Sequence, residues 1–223
     1  MTIGWPVIIS INLLVANITA IQASEFDISQ DTYRRVEERY GIDARRRIER
    51  WRDFISDTKD YSDENKIEAV NRFFNELIFV SDAEHWNRSD YWATPLEFLA
   101  TNGGDCEDFS IAKYFTLSEL GIPVDKLRLT YVKSLKLNQA HMVLTYFPDH
   151  REEPLVLDNL VKEIRPASLR NDLLPIYSFS GEGLWLAKER SRGKLIGKAG
   201  RLKRWKNLND RMARQYKKLG AIK

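Results

Sequence analysis

The hydrophobic period of this sequence changes once along its length. Up to about residue 122 the apolar side chains recur at three- and four-residue steps. From Leu127 onward, β-branched and aromatic residues crowd into short runs separated by turn signals. Side chains return to one face every 3.6 residues in a helix and every second residue in a strand, so this order implies helices first and a sheet afterwards. The expected class is α+β, with N-terminal helices followed by an antiparallel sheet.

In DTYRRVEERYGIDARRRIERWRDFI the apolar positions Tyr33, Val36 and Tyr40, then Ile48, Trp51, Phe54 and Ile55, describe two helices broken near Gly41. A third helix is expected after Ser62, carrying Ile67, Val70, Phe73 or Phe74, and Leu77. Asp82 to Asn87 is polar and reads as a loop. Thr94 and Pro95 then form the cap and first turn of a short helix. Gly103 and Gly104 interrupt the chain, and the next helix, closed by Gly121, has Cys106 at its beginning. Residues 127–135, 140–147 and 154–160 read as antiparallel strands separated by KLNQ and PDHREEP.

A chain of 223 residues, 43% hydrophobic and 30% charged with no repeat, is long enough for one sizeable core. Residues 1–24 contain no charged side chain and end in small residues, the pattern of a secretory signal, with cleavage expected after Ala23. The n-region lacks Lys and Arg, which leaves an uncleaved anchor as the alternative. From Lys188 to the C-terminus the only acids are Glu189 and Asp210. Within that stretch Leu202, Trp205, Leu208, Met212, Tyr216 and Leu219 recur at helical spacing, giving a basic amphipathic helix expected to dock on the body with its charged face in water. Contact with nucleic acid or a membrane surface is the competing reading of that charge.

Cys106 is the single cysteine, so in an oxidising compartment it has no partner within the chain. A buried, inert thiol is the plain reading. The alternative begins with its position: a helix N-terminus offers unpaired N–H groups and positive potential, and both favour a thiolate. A nucleophilic thiol then needs a base, from His85, His141 or His150. His85 and His150 lie in loops, whereas His141 opens a strand that can hold a ring in place. Asp158 ends the next strand. If Pro148 to Glu153 closes a hairpin, pairings whose residue numbers sum to an odd value set His141 and Asp158 on one sheet face, and even sums separate them. Spacing alone leaves that register open. Asp105, Glu107 and Asp108 crowd the cysteine with negative charge, which opposes its ionisation; on composition they suit a helix N-terminus as caps.

The run GGDCEDFS with Cys106, QAHMVL with His141 and VLDN with Asp158 resemble the bacterial transglutaminase-like cysteine peptidases, specifically the LapG-type periplasmic adhesin proteases. The resemblance spans roughly residues 30–180. It implies a papain-like or transglutaminase-like thiol protease core at 24–187, between a signal peptide at 1–23 and the basic helix at 188–223. It further implies a triad of Cys106, His141 and Asp158, and Ca²⁺ held by Asp105, Glu107 and Asp108. The implied substrate is the N-terminal region of a large surface biofilm adhesin, cut at a dialanine-type site and so released from the outer membrane. The implied partner is an inner-membrane cyclic di-GMP receptor of the LapD type, and the compartment the periplasm, with no nucleic acid bound and no stable membrane insertion after processing. Trp92 and Asn102 lie where relatives of this superfamily help hold an oxyanion, and neither is assigned a catalytic role.

Other chemistries fit the same residues. A transglutaminase or amidase uses the same Cys–His–Asp set and the same acyl-enzyme. A non-catalytic calcium-binding interaction module would keep the acids and bury the thiol.

Overall fold

The computed structural model describes residues 28–149, 153–181, 183–188 and 191–218. The expected signal segment, His150 and Leu219 lie outside them, as does the side chain of Tyr216.

Three helices come first: α1 (Gln30–Tyr40), α2 (Ile42–Thr58) and α3 (Asp63–Phe74). Ser29 and Ser62 cap α1 and α3 by accepting from backbone N–H groups three residues on. Gly41 separates α1 from α2 with a φ of +86°, a conformation that favours glycine. Helix α2 turns Ala44, Ile48, Trp51 and Ile55 inward, and the Trp51 indole N–H donates to Thr116 Oγ1 at 2.9 Å. Residues 78–79 form β1 (Ile78–Phe79). The polar stretch after it is not the expected open loop: Ser81 caps a single helical turn, α4 (Asp82–His85), whose first residue is buried. Helix α5 (Pro95–Thr101) carries the capping box of Thr94 and Glu97. It is followed by β2 (Gly103–Gly104), parallel to β1, and by α6 (Cys106–Glu119).

Helix α6 is buried on most of its circumference, through Phe109, Ile111, Ala112, Tyr114 and Leu117. A helix apolar all round belongs between layers, and here the layers are the N-terminal helices and a sheet. The sheet strands are β3 (Leu127–Ser134), β4 (Gln139–Tyr146), β5 (Leu155–Leu157), β6 (Arg165–Pro166), β7 (Leu173–Ser180), β8 (Gly183–Lys188) and β9 (Ser191–Lys198), in the order β6-β5-β4-β3-β7-β8-β9. All of its pairings are antiparallel.

The first three of these strands were expected from the sequence; β6 to β9 were not. Pro175 obscures β7, because a proline demotes a run to edge or non-strand. The structure accommodates it at a bulge: Tyr131 pairs with Tyr177 and Val132 with Pro175, so Ile176 is the extra residue. Pairing with β8 begins only at Tyr177, beyond the proline.

The sheet therefore continues to Lys198, inside the stretch assigned to the basic helix, which begins at Lys203 as α7 (Lys203–Lys218). Trp205, Leu208 and Met212 are buried, and Trp205 stacks on Phe115 while meeting Tyr114 and Phe179 edge-on. Not every basic residue of α7 faces water. Arg211 points inward to the Tyr91 hydroxyl, Trp92 O and Glu97 (2.6 Å), and Arg204 pairs with Asp90 at 2.6 Å. Among the described residues no helix is long and apolar enough to cross a membrane.

Candidate active site

The site is built at the start of α6. Ile78 and Phe79 lie alongside Gly103 and Gly104, so close that a Cβ on Gly103 would stand 2.7 Å from Ile78 O, while one on Gly104 would strike the Asp108 carboxylate of α6. Two glycines are what this approach requires. Asp105 then takes the N-cap position with extended backbone. Asp108, fully buried, accepts from Asp105 N at 3.3 Å and from Ala93 N at 2.7 Å, tying the segment before α5 to the helix start. Cys106, at the first helical position, is half-buried.

The sulfur meets the sheet at an open strand edge. β5 pairs with β4 only from Leu144 to Tyr146, leaving the β4 edge at Met142 for α6 to approach. The Met142 backbone N–H faces the Cys106 sulfur and favours its thiolate. Ser110 Oγ lies 3.1 Å from Met142 O and 2.9 Å from Cys106 O, so one hydroxyl joins the first turn of α6 to the same strand residue.

Strand register brings the histidine to the aspartate. Leu144 pairs with Leu157 and Tyr146 with Leu155, so paired numbers sum to an odd value, and Asp158 falls diagonally across from His141 on one face. Buried His141 Nε2 lies 2.8 Å from Asp158 Oδ1. That contact assigns Nε2 to the aspartate and leaves Nδ1 on the other side of the ring. Asp158 Oδ1 also accepts from Leu160 N at 3.0 Å, Oδ2 accepts from Arg170 Nη2 at 2.7 Å, and its carbonyl accepts from Asn75 Nδ2 and Lys113 Nζ at 2.9 and 3.2 Å. Burial pushes the Asp158 carboxyl upward, but His141, the Leu160 N–H and Arg170 outweigh it and hold the pKa at about 2. His85 stands edge-on to Trp86, and its Nε2 is buried without a partner.

Around Cys106 the acids converge further than local sequence suggests. Carboxylate oxygens of Asp82, Asp90 and Glu107 lie within 4.8 Å of one another, as do those of Asp82, Asp105 and Asp108. Asp105, the Cys106 sulfur and Glu107 form a third such group. The structure thus gathers the three expected acids and adds Asp82 and Asp90. No spacing signal links these two to Cys106; they arrive because α4 and the loop after it fold back onto the start of α6. Glu107 Oε2 accepts from the thiol at 3.1 Å. Both Asp108 oxygens accept backbone N–H groups, whereas Asp82 Oδ1 and Asp105 Oδ1 are buried with no hydrogen-bond partner.

The electrostatics follow from this crowding. Burial first, then Glu107 and Asp90, raise Asp82 to about 6; burial, Glu107, Asp108 and Asp82 raise Asp105 to about 10. Burial with Glu107 and Asp105 pushes the Cys106 thiol up, against the pull of the Met142 N–H. Orphaned buried oxygens among mutually repelling carboxylates fit a hard cation with oxygen ligands. Trp92 and Asn102 have structural roles: the Trp92 indole lies beside Asp90 and stacks on Phe179, and Asn102 ends α5 in the left-handed conformation at φ +62°.

A search of curated proteins gives no match. Among solved structures the chain is similar to Legionella pneumophila LapG, EGTA-treated, at 45% identity and a TM-score of 0.73, covering 83% of this chain and 98% of that one. A calcium-bound form of the same protein is 45% identical with a TM-score of 0.71, over 83% of this chain and 99% of that one. The family model described as bacterial transglutaminase-like cysteine proteinase BTLCP matches residues 48–172. That interval takes in Cys106, the His141–Asp158 pair and the five acids, and stops short of α7. On this match and these likenesses, the chain belongs to the bacterial transglutaminase-like cysteine proteinases.

Proposed function

We propose that the protein is a calcium-dependent periplasmic cysteine endopeptidase that cuts the N-terminal region of a large surface adhesin. The observation that carries the reading is a buried His141–Asp158 hydrogen bond of 2.8 Å on the strand whose Met142 N–H meets the sulfur of Cys106. In this reading His141 Nδ1 takes the thiol proton and the Cys106 sulfur attacks the scissile carbonyl. The backbone N–H of Cys106, at the positive end of α6, faces the developing oxyanion. His141 returns the proton to the leaving amine, and water then releases the acyl group by the same route. Asp158 keeps the proton on Nε2 and stabilises the imidazolium.

Asp82, Asp90, Asp105 and Glu107 would hold Ca²⁺, with Asp108 bracing them through the backbone. The ion, when bound, supplies positive charge that relieves the carboxylate repulsion around the thiol. The likeness to a LapG solved in calcium-bound and EGTA-treated forms supports this, as do the orphaned oxygens of Asp82 and Asp105. Export of the chain, a dialanine-type cleavage site, release of the adhesin from the outer membrane and sequestration by a LapD-type cyclic di-GMP receptor complete the reading. They rest on the LapG likeness and on the uncharged residues 1–24.

The test is incubation of the purified protein with an adhesin N-terminal fragment, with calcium or with EGTA, and mass spectrometry of the products. Two fragments ending at a small-residue site, formed only with calcium, support the reading. An amine-modified or cross-linked fragment would assign acyl transfer to an amine instead.

A further inference from the structure

We propose that Arg170, held by Asp172, is a positioning residue for the reaction: it fixes the Asp158 carboxylate against His141 and sets the charge that the imidazole meets. The inference rests on the assignment of Cys106, His141 and Asp158 given above.

Arg170 follows the short turn Ala167–Leu169 in the connection between β6 and β7, and only 4% of it is exposed. Its Nε meets Asp172 Oδ1 at 2.9 Å, and its Nη2 meets Asp172 Oδ2 at 2.8 Å and Asp158 Oδ2 at 2.7 Å. One planar fork therefore joins two carboxylates in a fixed geometry, which the single ammonium of a lysine cannot reproduce. The neighbouring Ala167 and Leu173 pack on a small cluster of Val132, Val143 and Val156, surroundings where an apolar side chain would serve stability as well. Arg170 Nη1 is moreover buried without a partner, a cost that packing does not explain.

What the arginine does fix is the division of labour on Asp158. Oδ1 serves His141 Nε2 and the Leu160 N–H, and Oδ2 serves Arg170. With Oδ2 held, the carboxylate cannot rotate away from the ring, and the ring keeps the tautomer that leaves Nδ1 free for Cys106. The charged groups around Asp158 are His141 from β4, Lys113 from α6, which reaches its carbonyl, and Arg170 with Asp172. Removing the Arg170 charge leaves Asp158 less compensated, which favours the imidazolium and moves the acid limb of turnover to higher pH. Neutralising Asp172 leaves the arginine less compensated and moves that limb the other way.

The test measures kcat and KM across pH, with calcium in excess, on a fluorogenic peptide carrying an Ala–Ala site. Arg170→Leu should lower kcat about 10- to 100-fold with KM nearly unchanged, and raise the acid limb by about half a pH unit or more. Asp172→Asn should lower that limb. Arg170→Lys should restore its position while leaving kcat depressed. Melting curves separate loss of fold from loss of rate; should Arg170→Leu not fold, Asp172→Asn and Arg170→Lys still decide the matter. Acid limbs that stay in place in both Arg170→Leu and Asp172→Asn, or move in one direction in both, overturn the proposal. His141→Ala and Asp158→Asn are run alongside: if they keep full activity, the triad reading itself fails, whereas their loss beside unaltered Arg170 variants removes only the role given to Arg170.

Discussion

At the scale of single residues, the site sets a thiol among groups that both oppose and favour its ionisation. Burial and the carboxylates of Glu107 and Asp105 hold the proton on Cys106, while the Met142 N–H draws it off. Cys106→Ala should abolish cleavage and leave the melting temperature nearly unchanged, since the side chain sits half-buried at a helix start. His141→Ala should be comparably severe. Asp158→Asn should lose less, because an amide can still meet the ring although it can select the wrong tautomer. Cleavage of the adhesin fragment beside a thermal melt checks all three, and residual cleavage by Cys106→Ala would end the nucleophile assignment.

At the scale of elements, one face of α6 acts as a ruler against the sheet. Cys106, Ser110 and Lys113 follow at four- and three-residue steps: the sulfur and the serine hydroxyl meet Met142, and the lysine meets the carbonyl of Asp158. Lys113 Nζ also reaches Asn71 Oδ1 and Asn75 Oδ1 of the α3 region, both at 2.8 Å, so a buried amine joins α6, the helical layer and the Asp158 loop. Burial lowers its pKa from 10.5 to about 7, with Asp158 pulling the other way. Between those values the unfolded chain binds more protons than the folded one, so this lysine makes stability rise with pH. Lys113→Met should flatten that rise. It should also cost about 1–3 kcal/mol by leaving Asn75 Oδ1 without its donor. Denaturant unfolding at pH 7 and pH 9.5 reads both effects.

For the whole molecule, the acid cluster links stability to pH and, in the proposed function, to Ca²⁺. In chelator, Asp82 holds its proton up to about 6 against an ordinary 3.8. The folded state therefore binds more protons through that window, and stability falls as pH rises across it. Melts at pH 4.5 and pH 7.5 should show calcium adding more stability at the higher value, with Mg²⁺ a poor substitute because it prefers small octahedral sites and keeps its waters. The C-terminal helix belongs to the same unit. Trp205, Leu208 and Met212 cover the aromatic cluster of Tyr114, Phe115 and Phe179, and Arg204 and Arg211 brace the segment that carries Asp90. Deleting residues 199–223 should cost on the order of 5 kcal/mol from that apolar burial alone and weaken calcium binding, read by melting and by calorimetric titration. Unchanged stability with lost binding to anionic vesicles would make the helix a surface tether.

Local rules carried much of the fold. The caps at Ser29, Ser62 and Thr94, the breaks at Gly41 and Gly103–Gly104, and the hairpin of β3 and β4 are all legible, because caps, breakers and alternation act over a few residues. So are the placement of Cys106 at a helix start and the candidacy of His141 and Asp158. Three things were not legible. Strand β7 hides behind Pro175 and a bulge whose acceptability depends on where a neighbouring strand stops, and β9 lies in the stretch whose charge reads as a basic helix. The odd pairing sum that sets His141 beside Asp158 is one of two local registers that spacing allows, and only the folded sheet fixes it. Asp82, Asp90, Lys113 and Arg170 join the site from elements far apart in the chain, and as single charged residues they carry no spacing signal at all. Caps, breakers and periodicity act over a few residues and so dictate most of the helices, the β3–β4 hairpin and the residues able to do chemistry; which charges share a desolvated space follows instead from the packing of the helices on the sheet.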